Sequence, residues 1–264
     1  LSSASTSFAF TLVEMSFVLI VIGLVLMLVL PTITSMRNAM AQKTTAENLQ
    51  ALMRATAAFV QANGCVPCPA PASVSGTGFG RLRGDASTTA CAGCTTWEGI
   101  PPFVALGVPA ALARDGWGRW VTMRVDPALT AATLTTVPPS GALGLCAAGL
   151  ATTNRPSVRQ PNQATTLGVP AAVVFVSHGA NGSGAYTANP YTSSLNGTRA
   201  SFPASQPACA TNQGYERCNA AGTGSFVEST PIMAETDPYD DKVLYLGRNA
   251  LVAAFGSTAC TTTW

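Results

Sequence analysis

Between positions 10 and 30 the chain reads FTLVEMSFVLIVIGLVLMLVL, with Glu14 as the only charge. About 20 such residues suffice to cross a bilayer, and a backbone in so apolar a setting satisfies its polar groups within itself only as a helix. The run therefore commits the N-terminal part of the chain to one long helix. Glu14 is what a plain membrane anchor leaves unexplained, because a carboxylate near the end of an apolar helix is costly and calls for a partner. A cleaved secretory signal fits poorly. Such a signal needs a basic segment before a shorter apolar core, whereas the first basic residue here is Arg37.

The helix is expected to resume after Pro31 and to continue to residue 63. Ile33, Met36, Met40, Leu49, Leu52, Met53, Phe59 and Val60 recur at spacings near three and four, the stripe of an amphipathic helix that supports a globular part. Asn63-Gly64 is a helix stop. The resulting division is 1–9 as a leader remnant or N-terminal extension, 10–63 as the helix, and 64–264 as an extracellular, β-rich head.

The start of the run resembles the processing site of type IV pilins and pseudopilins: Phe10-Thr11-Leu12-Val13-Glu14 followed by an apolar helix, with Gly23 and Pro31 where that family places a glycine and a proline. The resemblance implies cleavage by a prepilin peptidase between Ala9 and Phe10, N-methylation of Phe10, and Glu14 paired with the terminal amine of a neighbouring subunit. Ala9 stands where the family usually has Gly, and residues 1–9 lack the usual basic leader. Gly23 adds freedom and Pro31 removes a helix hydrogen bond, so the segment between them is expected to be able to unwind on assembly. Also implied are storage in the inner membrane, a pilus assembly platform, and a homo-oligomeric helical filament on the bacterial surface.

Eight cysteines, Cys65, Cys68, Cys91, Cys94, Cys146, Cys209, Cys218 and Cys260, all follow the apolar run. In an exported head an even number reads as a disulfide framework, and Cys209 with Cys218 is the pairing expected first. The competing reading is zinc, since Cys65/Cys68 and Cys91/Cys94 are two CxxC pairs at ligand spacing. Residues 65–99, rich in Pro, Gly, Cys and Thr, read as disulfide-tied loops. Asp115-Gly116-Trp117-Gly118 is a turn before a strand at 120–125, and G-x-P followed by D-x-W-G is again similar to pilin-like heads. Residues 171–177 suit a buried central strand, and 243–246 another strand. Segments 140–163 and 181–229 are expected to be long irregular loops. The fold class is thus α+β: a long N-terminal helix, hydrophobic in its first half, packed on an antiparallel sheet head with disulfide-tied loops.

Catalytic chemistry finds little support. His178 is the only histidine, and no G-x-S-x-G elbow accompanies it. The glycine-rich stretch after it lacks the Gly-Lys-Ser/Thr ending of a phosphate loop. A net charge of +2 with scattered Arg predicts no nucleic-acid partner. Asp237, Asp240 and Asp241 offer the hard oxygen ligands that calcium takes, although a solvated acidic turn is the simpler reading and otherwise no cofactor is expected. Asn196-Gly197-Thr198 matches a glycosylation acceptor. The expected function is structural, not enzymatic: a subunit of a type IV pilus or similar filament. The alternatives are a minor pilin or type II secretion pseudopilin at a filament tip and, from another class, a membrane-anchored module that binds DNA or a surface.

Overall fold

The structure, a computed structural model, describes residues 12–74, 76–84, 92–130, 154–187, 198–247 and 250–251, with the backbone alone for 28–32. One helix, α1 (Leu12–Asn63), runs for 52 residues. Gly23 and Pro31 lie inside it without interrupting it. Gly64 ends it with a left-handed φ of 76°; its amide donates to the Val60 carbonyl at 2.7 Å, and Asn63 Nδ2 donates to the Phe59 carbonyl at 2.9 Å. Such an ending requires a residue without a Cβ.

The chain divides into two compact units, Leu1–Ala41 and Gln42–Trp264, so the division falls within α1 and not at Gly64. In the first unit every large apolar side chain described from Leu12 to Met27 is exposed, Leu12 by 90%. Ile33, Met36 and Met40 are exposed as well, so the supporting stripe does not begin at residue 33. Among the described residues no helix is long and apolar enough to cross a membrane. Ala9 and Phe10 lie outside the described residues.

In the second unit the buried face of α1 is Thr45, Leu49, Leu52, Thr56 and Val60, at intervals of three and four. Leu49, Leu52 and Val60 pack with Met123, Val125, Val173 and Phe175 in the main core cluster. These last four come from a four-stranded antiparallel sheet in the order β1 (Glu98–Gly99), β2 (Thr122–Val125), β5 (Val173–Ser177), β7 (Lys242–Leu246). Its other face, through Val174, Val176 and Val243, packs with Val158 and Phe226 from a second sheet of β4 (Val169–Pro170), β3 (Ser157–Arg159) and β6 (Ser225–Val227). With both faces covered, β2 and β5 are buried at every position. This explains why 171–177 reads as a continuous apolar run and not as an alternating one.

Two expectations need correction. The second sheet is mixed, because β3 pairs with β6 in parallel. The supposed loops at 140–163 and 181–229 contain β3, β6 and a short helix, α2 (Tyr215–Ala220). These elements are three to six residues long, too short for periodicity to reveal.

The turn at 115–118 fastens α1 to the sheet. Asp115 Oδ1 accepts from the amides of Trp117 at 3.0 Å and Arg119 at 2.9 Å, while Oδ2 accepts from Ser177 Oγ at 2.9 Å. On the helix side, Gly116 N donates to Thr45 Oγ1 at 2.9 Å, and Asn48 Nδ2 donates to the Arg114 carbonyl at 2.8 Å.

Candidate functional site

Disulfides tie the loops of the head. Cys209 is bonded to Cys218, the pairing expected from the sequence, and Cys68 is bonded to Cys94. The second bond joins one CxxC pair to the other and removes both thiolates from any zinc site. Cys65 is also disulfide-bonded; Cys91, Cys146 and Cys260 lie outside the described residues. The 209–218 loop is held further by Arg159, a buried guanidinium. It donates to the carbonyls of Ala210 at 2.8 Å, Thr211 at 3.1 Å and Gln163 at 3.0 Å.

The main concentration of titratable side chains lies where β5 ends and β7 begins. Ser177 pairs with Lys242 in the antiparallel ladder, and continuing that register sets His178 opposite Asp241 and Gly179 opposite Asp240. His178 Nδ1 is 3.7 Å from Asp241 Oδ1, with both side chains fully buried. Gly179 has φ 54°, and a Cβ there would stand 2.1 Å from Asp240 Oδ1 and 2.4 Å from the Asp240 carbonyl oxygen. Only glycine permits so close an approach.

α2 brings the third carboxylate. Ligand oxygens of Glu216, Asp240 and Asp241 lie within 4.8 Å of one another. Glu216 Oε1 accepts from Asn181 Nδ2 at 2.7 Å and from the Asp240 amide at 3.1 Å. Its Oε2 accepts from Gln206 Nε2 at 3.0 Å. Asp240 Oδ2 accepts from the Asn181 amide at 3.0 Å, and Asp241 Oδ2 from Asn219 Nδ2 at 2.8 Å. Asp240 Oδ1, Asp241 Oδ1, Gln206 Oε1 and His178 Nδ1 are buried and have no hydrogen bond. Asp237, expected alongside the other two aspartates, is used elsewhere: its Oδ2 accepts from the Gly214 amide ahead of α2, at 3.0 Å.

Electrostatics follow from this crowding. Burial, with Glu216 and Asp240 close by, holds the Asp241 carboxyl well above the usual carboxylate range against the opposing bond from Asn219. Burial also raises Glu216. His178 is pushed down to about 3 by burial and by the cations of Arg199 and Arg119. With its ring held neutral, His178 does not form an ion pair with Asp241. The imidazole Nε2 lies 2.9 Å from Thr122 Oγ1 and 3.5 Å from Arg199 NH1. As a guanidinium only donates, Nε2 is the accepting nitrogen and Nδ1 carries the proton. A fully enclosed ring with this tautomer suits structure better than proton transfer to a substrate.

The loop after His178 is also closed to phosphate. Its amides are spent internally, Gly182 N on the His178 carbonyl at 2.9 Å and Ser183 N on Asn181 Oδ1 at 2.8 Å. Arg119 donates to the carbonyls of Gly179 and Ala180. Sequence reasoning found Asp240 and Asp241 but missed Glu216 and Gln206. A lone Glu in Tyr-Glu-Arg-Cys carries no signal, and only the disulfide fold of 209–218 brings it to the strands.

No family model, no curated protein and no solved structure matches the chain. What the structure establishes is therefore the fold class: α+β, with an N-terminal helix, antiparallel sheet and disulfides.

Proposed function

We propose that the chain is a structural subunit of a type IV pilus or a type IV pilus-like extracellular filament, polymerising through the first part of α1. The observation that carries this reading is the exposure of every large apolar side chain described from Leu12 to Met27. Scattered exposed apolar residues are ordinary, but a contiguous surface of this extent needs a cover. Membrane lipid supplies it before assembly, and the same helices of further copies supply it in the filament. Glu14 lies in the first turn of α1, where the positive end of the helix favours its charge and where the resemblance places a neighbour's terminal amine. Disulfides in the head suit an oxidising compartment outside the cytoplasm. Processing at Ala9 and Phe10 rests on the motif alone.

Peptide mass spectrometry on non-reduced protein sheared from cells tests the proposal. A methylated Phe10 terminus, recovered in a fraction that shows filaments by electron microscopy, supports it. An unprocessed chain found only with membranes overturns it. The stoichiometry of the chain in sheared filaments separates a main subunit from a minor, tip-located one.

A further inference from the structure

Arg159 is a buried cation that, among the described residues, has no carboxylate to balance it. Its side chain donates to the carbonyls of Gln163, Thr211 and Ala210, and its Nε is buried without a hydrogen bond. Enclosing a guanidinium with neutral partners alone is costly. The same group lies against sulfur: Arg159 Nη2 is 3.5 Å from Cys218 Sγ, one half of the Cys209–Cys218 bond. We propose that Cys209–Cys218 is a redox-active disulfide, opened by a dithiol reductant that attacks Cys209 and releases Cys218 as a thiolate beside Arg159.

The two sulfurs differ in access. Cys209 is exposed, whereas Cys218, on α2, is 1% exposed, so only Cys209 is open to an entering thiolate. The entering sulfur bonds to Cys209 Sγ, the Cys209–Cys218 bond breaks, and its electron pair passes to Cys218 Sγ. A guanidinium at that atom stabilises the new charge, and a leaving thiol of lower pKa departs faster. The second thiol of the reductant, after losing its proton to water, attacks the sulfur held on Cys209. Cys209 is then freed and takes up a proton, and the reductant ends as a disulfide. The oxidised protein leaves Arg159 uncompensated, and the reduced protein supplies the missing anion, so the cation favours opening. The Cys68–Cys94 bond lacks this access: Cys68 is fully buried and Cys94 packs against the main core cluster. The bonds from Arg159 to Ala210 and Thr211 do not require the disulfide, so Cys209 stays close to Cys218 and closure is reversible. What opening removes is the covalent hold on α2, whose Asn219 and Glu216 bond to Asp241 and to the Asp240 amide. The inference concerns the head alone and does not depend on filament assembly.

The test exposes the full, oxidised chain in detergent to graded dithiothreitol, traps free thiols by alkylation and locates them by peptide mass spectrometry. Cys209 and Cys218 are expected to take the label while Cys68 and Cys94 remain bonded and the head keeps its cooperative melt. A thioredoxin-class protein whose resolving cysteine is replaced by serine should be captured as a mixed disulfide on Cys209. Arg159→Gln is expected to slow opening about tenfold. If Arg159 only clamps the loop, its loss speeds opening instead, and that result overturns the proposal. So does capture on Cys218, or opening of Cys68–Cys94 before or together with Cys209–Cys218. The order of labelling on the unaltered chain decides even if the Arg159 variant fails to fold.

Discussion

His178 and Asp241 meet across a strand pair where burial disfavours the charged form of each, and their effects on stability run in opposite directions with pH. Unfolded histidine takes up a proton below about pH 6.5, whereas the folded ring resists until about 3. Stability from His178 is therefore complete above pH 6.5 and is lost as pH falls from there towards 3. Asp241 keeps its proton in the fold at pH values where an unfolded Asp has released it, so its contribution declines as pH rises above about 4. Replacing His178 with Asn removes only the first effect. Relative to the unaltered protein, the melting temperature of that variant is expected to climb as pH is lowered from 7 to 4. Parallel curves for the two proteins would show that the ring is not held neutral. Gly179→Ala tests the close approach itself: a Cβ against Asp240, in a left-handed backbone, should cost about 2–4 kcal/mol in chemical denaturation.

At the scale of elements, the sequence was informative where a segment is long or chemically monotonous. The helix end at Asn63-Gly64, the turn around Asp115 and the buried strand β5 were all legible, because glycine chemistry and apolar runs act locally. β3, β6 and α2 were not, since each is three to six residues long and β3 takes its parallel partner β6 from far along the chain. The helix stripe was read too generously: Met36 and Met40 are apolar but exposed, whereas Thr45 and Thr56 are buried. For Thr45 the reason is its bond to Gly116, which no periodicity can forecast. Much of the stability of these short elements should come from their covalent ties. The Cys68–Cys94 bond spans 26 residues and Cys209–Cys218 spans 9. Loop-closure entropy then predicts losses of about 3.5 and about 2.5 kcal/mol for the respective paired Cys→Ser variants. Urea melts that showed the shorter loop to matter more would mean that its role is to hold α2 in place, not to restrict the unfolded chain.

For the whole molecule, the division within α1 matters more than the end of the helix. Gln42–Trp264 forms its own compact unit, with Leu49, Leu52 and Val60 supplying the helix side of its core. A chain beginning at Gln42 is expected to fold, keep its disulfides and remain monomeric; one beginning at Gly64 lacks that side of the core and should fail to give a cooperative melt. Leu52→Ala within the longer piece should cost about 2–5 kcal/mol. Under the filament proposal, Glu14→Ala leaves the head untouched while a neighbour's amine loses its partner, a penalty of about 3–5 kcal/mol for a charge left buried. Filament yield should collapse without any change in head melting temperature, and normal filaments from that variant would remove Glu14 from the assembly contact.

The ladder between β5 and β7 has one more consequence. Side chains alternate across a sheet, so a slip of one residue would turn Asp241 towards the face where Phe175 and Met123 pack, and would bring Asp240 or Lys242 to the position opposite His178. The apolar strands alone, Val-Val-Phe-Val against Val-Leu-Tyr-Leu, discriminate weakly between such alignments. The acids and the glycine at their end do so strongly, because only one alignment offers Asp240 a neighbour with no side chain. The cluster thus fixes the register of β7 against β5.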